Sequence, residues 1–405
     1  MKYRVHIKIR KTSWGGRKFP RKFQSYTRMG KSENLDYLQL LHTIGKITVP
    51  PISNGFSLAE YWAQLRYVHA IDCKSKGLLL SPQYAELDPH QKTILSDDFG
   101  MGISMYWLEK KMCLRPPIEG YYYIKNSFGR YGRKVLPKNI AKPRPAKRGP
   151  RKSPDFIAED ASGFWHVIEC KGTQSGTHAR AKQIKRGKGQ KTTILFPRSV
   201  RGERLVAATK IAISGSGDRT ELLIEDPSEE PILQFSESYK PYLSDPLFRG
   251  TVAKVLSLVG ARQLGRQLAS PSGLIERPFH QTWKERSNFV EARRASLEQE
   301  LKELKIKSGQ ISREMSTELV QPIIWGSRTY RSATLRYRCD SELIDSAREL
   351  GDSDEPIESG SEFWKRATDI TRFESNLQGR TTEGPSEAFA KMKIGEFFVS
   401  ELILR

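Results

Sequence analysis

The segment PDFIAEDASGFWHVIECKG, residues 154–172, gives the clearest local prediction of structure in the chain. DFIAED and FWHVIECKG predict two short apolar strands, and the small residues ASG between them predict a tight turn, so a β-hairpin is expected. Asp155 begins the first strand and Glu169 lies near the end of its antiparallel partner, which brings both side chains to one end of the sheet. Lys171 follows Glu169 by two residues and projects from the same strand face.

Two carboxylates and a lysine at one strand end suit a particular chemistry. Carboxylates held within a few ångströms repel each other, and one takes up a proton unless a cation intervenes. The hard divalent ion Mg²⁺ suits such an oxygen-only site, with Mn²⁺ as the second choice. A lysine there can orient an attacking water or neutralise charge on a phosphorane. The alternative is an ordinary hairpin whose aspartate caps a turn and whose glutamate and lysine form a surface ion pair.

The chain is strongly basic, with a formal net charge of +22 over 405 residues. No acid occurs in residues 1–32 or between Cys170 and Gly202, and both stretches are rich in lysine and arginine. A field of this size attracts polyanions, and nucleic acid is the commonest polyanion in a cytosol. Nucleic acid is therefore the expected partner, with a purely solubilising surface as the plainer explanation of the charge.

The composition argues against several classes of protein. No run approaches the ~20 apolar residues that a membrane span needs. The N-terminal MKYRVHIKIR alternates basic and apolar residues, unlike a secretory signal, so a cytoplasmic protein without a membrane partner is expected. The four cysteines form no CxxC pair and the seven histidines no HxxxH or HxH pair, which leaves a disulfide framework and zinc chemistry unsupported.

The segments around the hairpin predict an ordered series of elements. Residues 96–112 predict a helix whose glycines let a strand approach closely, and GYYYIKN, residues 120–126, predicts a strand. Four prolines among lysines and arginines predict an extended arm over residues 135–152. After the hairpin, residues 177–191 predict a basic helix, and TTILFP, residues 192–197, predicts a buried strand.

The motif PD at residues 154–155 with ECK at residues 169–171, at the end of an apolar strand, resembles the PD-(D/E)xK nuclease superfamily, the restriction-endonuclease-like fold. The predicted element order is similar to the αβββαβ core of that family over residues 87–197, so the resemblance implies an α/β (α+β) chain with that core. Three further Glu-x-Lys matches fall in helix-like segments and lack this context: Glu109, Glu300 and Glu303.

The resemblance implies roles for individual residues. Asp155 and Glu169 would bind the metal ion, and Lys171 would assist the attacking water. In this family a further metal-binding acid comes from the preceding helix, which implies Asp98, and a glutamine comes from the following helix, which implies Gln183. The alternatives are Asp97 and Glu109 for the acid and Gln190 for the glutamine.

Cations on both sides of the motif are expected to contact DNA phosphates, which position a duplex without reading its sequence. Six belong to the arm of residues 135–152 and four to the basic helix that follows the hairpin. They are Lys142, Arg144, Lys147, Arg148, Arg151 and Lys152 in the arm, and Lys182, Lys185, Arg186 and Lys188 in the helix.

Three regions are expected along the chain: a basic N-terminal α+β module over residues 1–80, the nuclease core over residues 81–230, and a mainly helical module over residues 231–405. In the last region, apolar residues spaced alternately four and three positions apart predict the core face of a helical domain or, as the alternative, a short coiled coil. The stripe comprises Leu297, Leu301, Leu304, Ile311 and Met315.

The function expected from these observations is a Mg²⁺-dependent endonuclease that hydrolyses DNA phosphodiester bonds. A nuclease core joined to a basic module and a helical module is similar in organisation to nucleases of phage defence or of transposition complexes. The resemblance therefore implies partner proteins of such a complex, and the sequence is also compatible with a homo-oligomer. The alternatives are a non-catalytic nucleic-acid-binding or assembly subunit with a nuclease-like fold, and a nuclease that cleaves RNA.

Overall fold

The computed structural model describes residues 1–51, 64–131, 153–191, 194–226, 233–271, 283–304, 306–325, 328–353, 355–357, 361–376 and 387–405. The described residues form two large β-sheets with helices packed between and around them. The α/β class that the sequence predicts is therefore confirmed at this coarse level. None of the described helices is long and apolar enough to cross a membrane.

The elements are named in chain order. The helices are α1 (Tyr37–Thr48), α2 (Pro89–Met112), α3 (Gly120–Tyr131), α4 (Gly176–Lys191), α5 (Ser244–Leu258), α6 (Arg262–Ala269), α7 (Trp283–Glu303), α8 (Ser341–Gly351) and α9 (Glu362–Ala367). The strands of the first half are β1 (Lys2–Ile9), β2 (Lys31–Asp36), β3 (Leu79–Leu80), β4 (Ile118–Glu119), β5 (Phe156–Glu159), β6 (Trp165–Thr173), β7 (Ile194–Leu195), β8 (Arg201–Lys210), β9 (Ala212–Ile213) and β10 (Glu221–Glu225). Those of the second half are β11 (Leu233–Gln234), β12 (Ile306–Lys307), β13 (Gln310–Trp325), β14 (Arg328–Asp340), β15 (Arg372–Asn376), β16 (Ala388–Ile394) and β17 (Phe398–Leu404).

The first sheet contains the hairpin that the sequence predicts. In the described chain it has seven strands in the order β2-β1-β10-β8-β6-β5-β4. β4 pairs antiparallel with β5, β5 antiparallel with β6, and β6 parallel with β8. The parallel neighbour of β6 is thus β8 and not the TTILFP segment, whose strand β7 pairs with β11 in a separate small sheet.

Helices cover both faces of this part of the sheet. Phe99 and Ile103 of α2 share one core with Ile168 and Cys170 of β6, and Ile184 of α4 shares another with alternate residues of β8 and β10. Because successive residues of a strand point to opposite faces, α2 and α4 lie on opposite sides of the sheet. The chain order is therefore α2, β4, β5, β6, α4, β8, with α3 and short segments between them.

The N-terminal strand behaves as its alternation predicts. Tyr3, Val5, Ile7 and Ile9 are buried, whereas Lys2, Arg4 and Lys8 are exposed. His6 departs from the pattern: it is 8% exposed and its Nε2 bonds to the Met29 carbonyl at 2.9 Å. Since β1 pairs in parallel with β10, residues 1–80 contribute strands to the same sheet as the hairpin.

GYYYIKN does not form the predicted strand; it begins helix α3, and the strand is the two-residue β4 just before it. Tyr122, Tyr123 and Asn126 are buried while Tyr121 and Lys125 are half-buried, which is a helical spacing. The two buried tyrosine hydroxyls donate to backbone carbonyls of Ala269 and Leu243 at 3.0 and 2.9 Å. Aromatic residues favour strands, but here these hydrogen bonds and the burial of both rings outweigh that preference.

The expectation of a mainly helical C-terminal module is wrong. Besides α5 to α9, the described part of residues 231–405 contains an antiparallel sheet of six strands in the order β12-β13-β14-β17-β16-β15. β13 and β14 form its longest hairpin, with a register shift between Glu318 and Ile323. Helix α1 packs against this sheet, since His42 Nε2 bonds to the Ala390 carbonyl at 3.0 Å and Ser400 Oγ contacts its Nδ1 at 3.2 Å.

The hydrophobic stripe of residues 297–315 belongs to two kinds of element. Leu297 and Leu301 lie in α7, which ends at Glu303, whereas Ile311 and Met315 lie in β13. Ser308 and Gly309, with φ of 50° and 74°, form the turn between β12 and β13. Two consecutive residues with positive φ suit a tight hairpin turn and end any helix, so neither a coiled coil nor a single helical stripe forms.

Candidate active site

Asp155 and Glu169 meet at the open end of the β5–β6 hairpin, as the sequence predicts. The register pairs Phe156 with Ile168, which places Asp155 beside Glu169. The Asp155 amide donates to Glu169 Oε2 at 3.1 Å, and the Cys170 amide donates to Asp155 Oδ2 at 2.8 Å. Each carboxylate is thus held by a backbone amide of the other strand, so the hairpin itself fixes their separation.

Lys171 completes the group. Its Nζ donates to Glu169 Oε1 and lies 3.7 Å from Asp155 Oδ2. The side chain of Glu169 is fully buried, whereas those of Asp155 and Lys171 are 27% and 21% exposed. A ligand approaching from solvent therefore meets Asp155 and Lys171 first and Glu169 behind them. The alternative of a surface ion pair does not describe a glutamate at this depth.

The proton affinities of the three side chains reflect this crowding. Burial, followed by the charge of Asp155, raises the pKa of Glu169 to about 8, although Lys171 opposes the shift. Burial also raises the pKa of Asp155, again against the effect of Lys171. For Lys171, burial acts to lower the pKa, but the two carboxylates outweigh it and raise the value. The lysine is therefore a permanent cation, and a further positive charge would stabilise the carboxylates.

Helix α2 reaches the site because its backbone touches β6. A Cβ on Gly172 would lie 1.7 Å from the Ser96 carbonyl oxygen, and one on Gly100 would lie 2.4 Å from the Gly172 Cα. Only glycine fits at such a backbone contact. The small residues of residues 96–112 do permit close approach of a strand, which confirms that prediction, and the contact brings Asp97 and Asp98 to the end of β6 that carries Lys171.

The three candidate acids of α2 have different surroundings. Asp98 accepts a hydrogen bond from the Tyr67 hydroxyl, and burial raises its pKa while Tyr67 and Arg66 oppose the shift. For Asp97 burial also raises the pKa, and the next influences are Lys171, Asp98 and Asp155. Asp97 is thus the acid whose charge is coupled to the hairpin group.

Glu109 is far from this position. It lies twelve residues after Asp97 on the same helix, which at ~1.5 Å per residue is about 18 Å. Its Oε2 forms a buried ion pair with Lys46 Nζ at 2.5 Å, linking α2 to α1. The structure therefore does not bring Glu109 to the hairpin. The hydrogen bond from Tyr67 to Asp98 could not be predicted from the sequence, because nothing in RYVHAI distinguishes Tyr67 from an ordinary core tyrosine.

Gln183 reaches the strand from α4 on the opposite face. Its Nε2 donates to the Gly172 carbonyl at 2.8 Å, directly after Lys171, and its Oε1 is buried with no hydrogen-bond partner among the described residues. Gly187, one turn later, faces Glu169, since a Cβ there would lie 3.2 Å from Glu169 Cγ. Helix α4 thus covers Glu169, and Gln183 fixes the helix to the strand. The side chain of Gln190 lies outside the described residues.

The predicted DNA-contacting cations are only partly described. Lys182, Lys185 and Arg186 are exposed on α4, and Lys188 is half-buried with its Nζ 3.7 Å from Glu225 Oε2. The whole arm of residues 135–152 lies outside the described residues, and with it its six cations: Lys142, Arg144, Lys147, Arg148, Arg151 and Lys152.

The donor set determines which ion could be held here. In the described chain no three or more His, Cys, Asp or Glu side chains are arranged as a complete metal site. Asp155 and Glu169 nevertheless offer adjacent carboxylate oxygens, and because burial and then the charge of Asp155 raise the pKa of Glu169, a cation here would favour its ionised form. Oxygen donors without nitrogen or sulfur suit Mg²⁺ or Mn²⁺ rather than zinc. The residues present fit a hard divalent cation, with a third acid or water completing its shell.

A scan against protein-family models, a search of the curated proteins and a search of the solved structures each find no match for this chain. Function must therefore be argued from the residues themselves.

Proposed function

We propose that the chain is a metal-dependent nuclease that hydrolyses DNA phosphodiester bonds, with a core of the PD-(D/E)xK type. The observation that carries the proposal is the contact of Asp155, Glu169 and Lys171 at one end of the hairpin. Support also comes from the order of elements, which matches the αβββαβ order of that family apart from α3 between β4 and β5 and the short β7 before β8: a helix, three antiparallel strands, a second helix and a strand parallel to the third.

The ion would be held by Asp155 and Glu169, with an acid of α2 as the third donor. Asp97 suits this role better than Asp98, because its charge is coupled to Lys171 and Asp155 whereas Asp98 is engaged by Tyr67. When bound, Mg²⁺ or Mn²⁺ would supply Lewis-acid polarisation of the scissile phosphate and a more acidic water.

The protein's own residues have distinct tasks in this reaction. Lys171 is protonated, so it cannot accept the proton of the attacking water; it can donate hydrogen bonds to that water or to a phosphate oxygen. Glu169, fully buried, accepts a hydrogen bond from Lys171 and so fixes the position of its ammonium group. Asp155, partly exposed and held by the Cys170 amide, presents its carboxylate at the mouth of the site.

Nucleic acid as the substrate is supported by charge. The net charge of +22 and the exposed cations of α4, on the sheet face toward which Glu169 and Lys171 point, suit a phosphate backbone next to the site. A place in phage defence or in a transposition complex rests on analogy of the core alone. One observation favours the non-catalytic alternative: Lys171 already neutralises part of the carboxylate pair, as in a purely structural ion pair.

The proposal is tested by incubating the purified chain with supercoiled plasmid, linear duplex, single-stranded DNA and RNA, each with Mg²⁺, Mn²⁺ or EDTA. Nicking or linearisation of DNA with either ion and none with EDTA supports a DNA nuclease. Cleavage of RNA alone would move the substrate to RNA. Binding of all four nucleic acids without cleavage of any would favour the non-catalytic subunit.

A further inference from the structure

A second groove lies away from the hairpin, where the tip of the C-terminal hairpin β13–β14 meets the polar face of β1. Its volume is about 930 Å³. The residues that matter for its chemistry are four cations, Lys2, Arg4, Lys74 and Lys76, and two apolar side chains from the end of β13, Ile324 and Trp325. The groove thus combines elements that are more than 200 residues apart in the sequence.

The four cations are exposed and uncompensated. Lys2, Arg4, Lys74 and Lys76 are all exposed, and within the described residues none forms an ion pair with a carboxylate. A second cationic groove beside α4 differs in this respect. There Arg10 and Lys188 both contact Glu225, at 2.6 and 3.7 Å, so much of its charge is already neutralised. The β1 groove therefore offers the stronger attraction for a polyanion.

The apolar side of the groove exposes large hydrophobic side chains to solvent. Ile324 is 64% exposed and Trp325 is half-buried, at the end of a hairpin strand. A tryptophan beside exposed lysines and an arginine is the combination that binds single-stranded nucleic acid: the cations follow the backbone phosphates while a base stacks on the indole. A paired duplex does not offer the face of an internal base to such a ring.

The groove and the hairpin group share one face of the first sheet. The register links Lys8 to Leu223, Leu223 to Ala208 and Ala208 to Lys171 across four neighbouring strands. Three strand spacings of ~4.8 Å separate β1 from β6, and Arg4 lies four residues of ~3.3 Å along β1 from Lys8. Arg4 is therefore about 20 Å from Lys171, and a nucleic-acid strand that joins them would pass beside helix α4, which covers Ala208 and Leu223 on this face.

We propose that this groove binds a single-stranded segment of nucleic acid, with its phosphates on Lys2, Arg4, Lys74 and Lys76 and a base on Trp325. The bound strand would lead toward Lys171 and the two carboxylates. Their role as a cleavage site rests on the proposed nuclease function, whereas the binding itself does not. A nuclease with this device would favour substrates that combine a duplex with an unpaired flap or end.

Binding is measured by fluorescence anisotropy with labelled oligo-dT of 20 nucleotides and with a duplex of 20 base pairs, both in EDTA so that no cleavage occurs. Trp325→Ala is expected to weaken oligo-dT binding about tenfold, since stacking contributes strongly to such sites, while Trp325→Phe retains most of the affinity. Lys74→Ala with Lys76→Ala should reduce the salt slope by about 1.4, because each phosphate that a lysine neutralises on a single strand contributes ~0.7 to that slope.

The matched control is Lys302→Ala with Lys307→Ala. It removes two exposed lysines that precede β13, at the end of this strand opposite Trp325. Its oligo-dT affinity and salt slope should stay close to those of the parent. Circular dichroism checks that each variant is folded.

Three outcomes overturn the proposal. The first is parental oligo-dT affinity in Trp325→Ala, and the second is an equal loss of oligo-dT affinity in the control. The third is displacement of oligo-dT by poly-glutamate as effectively as by unlabelled oligo-dT, which would make the groove a site for acidic peptides. Because these assays contain no metal and measure no cleavage, an inactive protein that binds as described would refute the nuclease and leave the groove intact.

Discussion

At the scale of the residue, the proposed cleavage chemistry depends on Lys171 as a fixed cation between two acids. Its ammonium contacts Glu169 and lies 3.7 Å from Asp155, and against the opposing effect of burial these two carboxylates raise the pKa of the lysine. One lysine is a small share of a +22 chain, so its role in chemistry can be separated from its role in binding.

Lys171→Ala is expected to slow single-turnover cleavage about a hundredfold, because loss of one preorganised donor at a reacting phosphate has effects of that order. DNA affinity, measured by anisotropy in EDTA, should change by about twofold or less. Lys307→Ala, which removes an exposed lysine of β12, is the control and should leave the cleavage rate nearly unchanged. If Lys171→Ala lost affinity and rate in equal measure, the lysine would be a phosphate clamp instead.

The two adjacent acids of α2 provide a matched pair of substitutions. Asp97→Asn should lower the cleavage rate about tenfold or more, since it removes a charge coupled to Lys171 and Asp155. Asp98→Asn keeps an acceptor for the Tyr67 hydroxyl and should stay close to the parent. Rates are compared at saturating Mg²⁺ and again over a Mg²⁺ titration. The reverse order of effects would return the third acid to Asp98.

At this scale the sequence predicted what is local. Asp155, Glu169 and Lys171 lie on two adjacent strands, so alternation and a tight turn are sufficient to bring them together. The choice between Asp97 and Asp98 could not be made in the same way. Neighbouring residues of a helix point about 100° apart, and only the contact of α2 with β6 decides which of them faces the hairpin.

At the scale of the element, the site depends on the backbone contact between α2 and β6. Gly172→Ala should lower the free energy of unfolding by about 3 kcal/mol, because the new Cβ meets the Ser96 carbonyl, which cannot move without shifting the helix. Gly77→Ala is the control, since a Cβ there would lie at ordinary contact distances of 3.7 Å or more. Urea unfolding measures both. Equal midpoints for the two variants would mean that α2 and β6 are not in contact as described.

A second element-scale link joins β8 to the N-terminal segment and titrates near neutral pH. Burial, followed by Asp226, raises the pKa of Glu203 to about 7, although Trp14 Nε1 donates to its Oε2 at 2.8 Å. A raised pKa means that the folded state holds this proton more tightly than the unfolded state. The contribution of Glu203 to stability is therefore present below about pH 4.5 and is lost as the pH rises through 7.

Glu203→Gln should remove this pH dependence. Between pH 5 and 8 the parent is expected to lose more thermal stability than the variant, and the difference between the two melting temperatures should change most between about pH 5 and 7 and level off above it. The comparison is made by differential scanning fluorimetry in buffers of constant ionic strength. A constant difference across this range would show that Glu203 does not titrate as described.

Element types were predicted well where period and context agreed and poorly elsewhere. The α2 helix, the hairpin and the basic helix α4 were expected from the sequence. GYYYIKN has the composition of a strand, yet two tyrosine hydroxyls that bond to Ala269 and Leu243 hold it in a helix. The stripe of residues 297–315 fits a helix only until Ser308 and Gly309, whose positive φ angles turn it into a hairpin.

At the scale of the whole molecule, non-local pairing sets the architecture. β1 joins the sheet of the hairpin through β10, more than 200 residues later, and the C-terminal strands form a second sheet against α1. Pairing between such distant segments leaves no signature in a single sequence, so neither the shared sheet nor the second one could be predicted. The same assembly places the cations of β1 on the face toward which Lys171 points.

Asp155 and Glu169 are proposed to act together with a divalent ion to cleave DNA. The most direct measurement is nicking of supercoiled plasmid in Mg²⁺ by the parent, by Asp155→Asn, by Glu169→Gln and by Asp218→Asn, an exposed loop acid that serves as the control. We predict Mg²⁺-dependent nicking by the parent and by Asp218→Asn, and no nicking above the EDTA background by the other two, with all four proteins folded and binding the plasmid. Nicking at the parental rate by either Asp155→Asn or Glu169→Gln would contradict the claim.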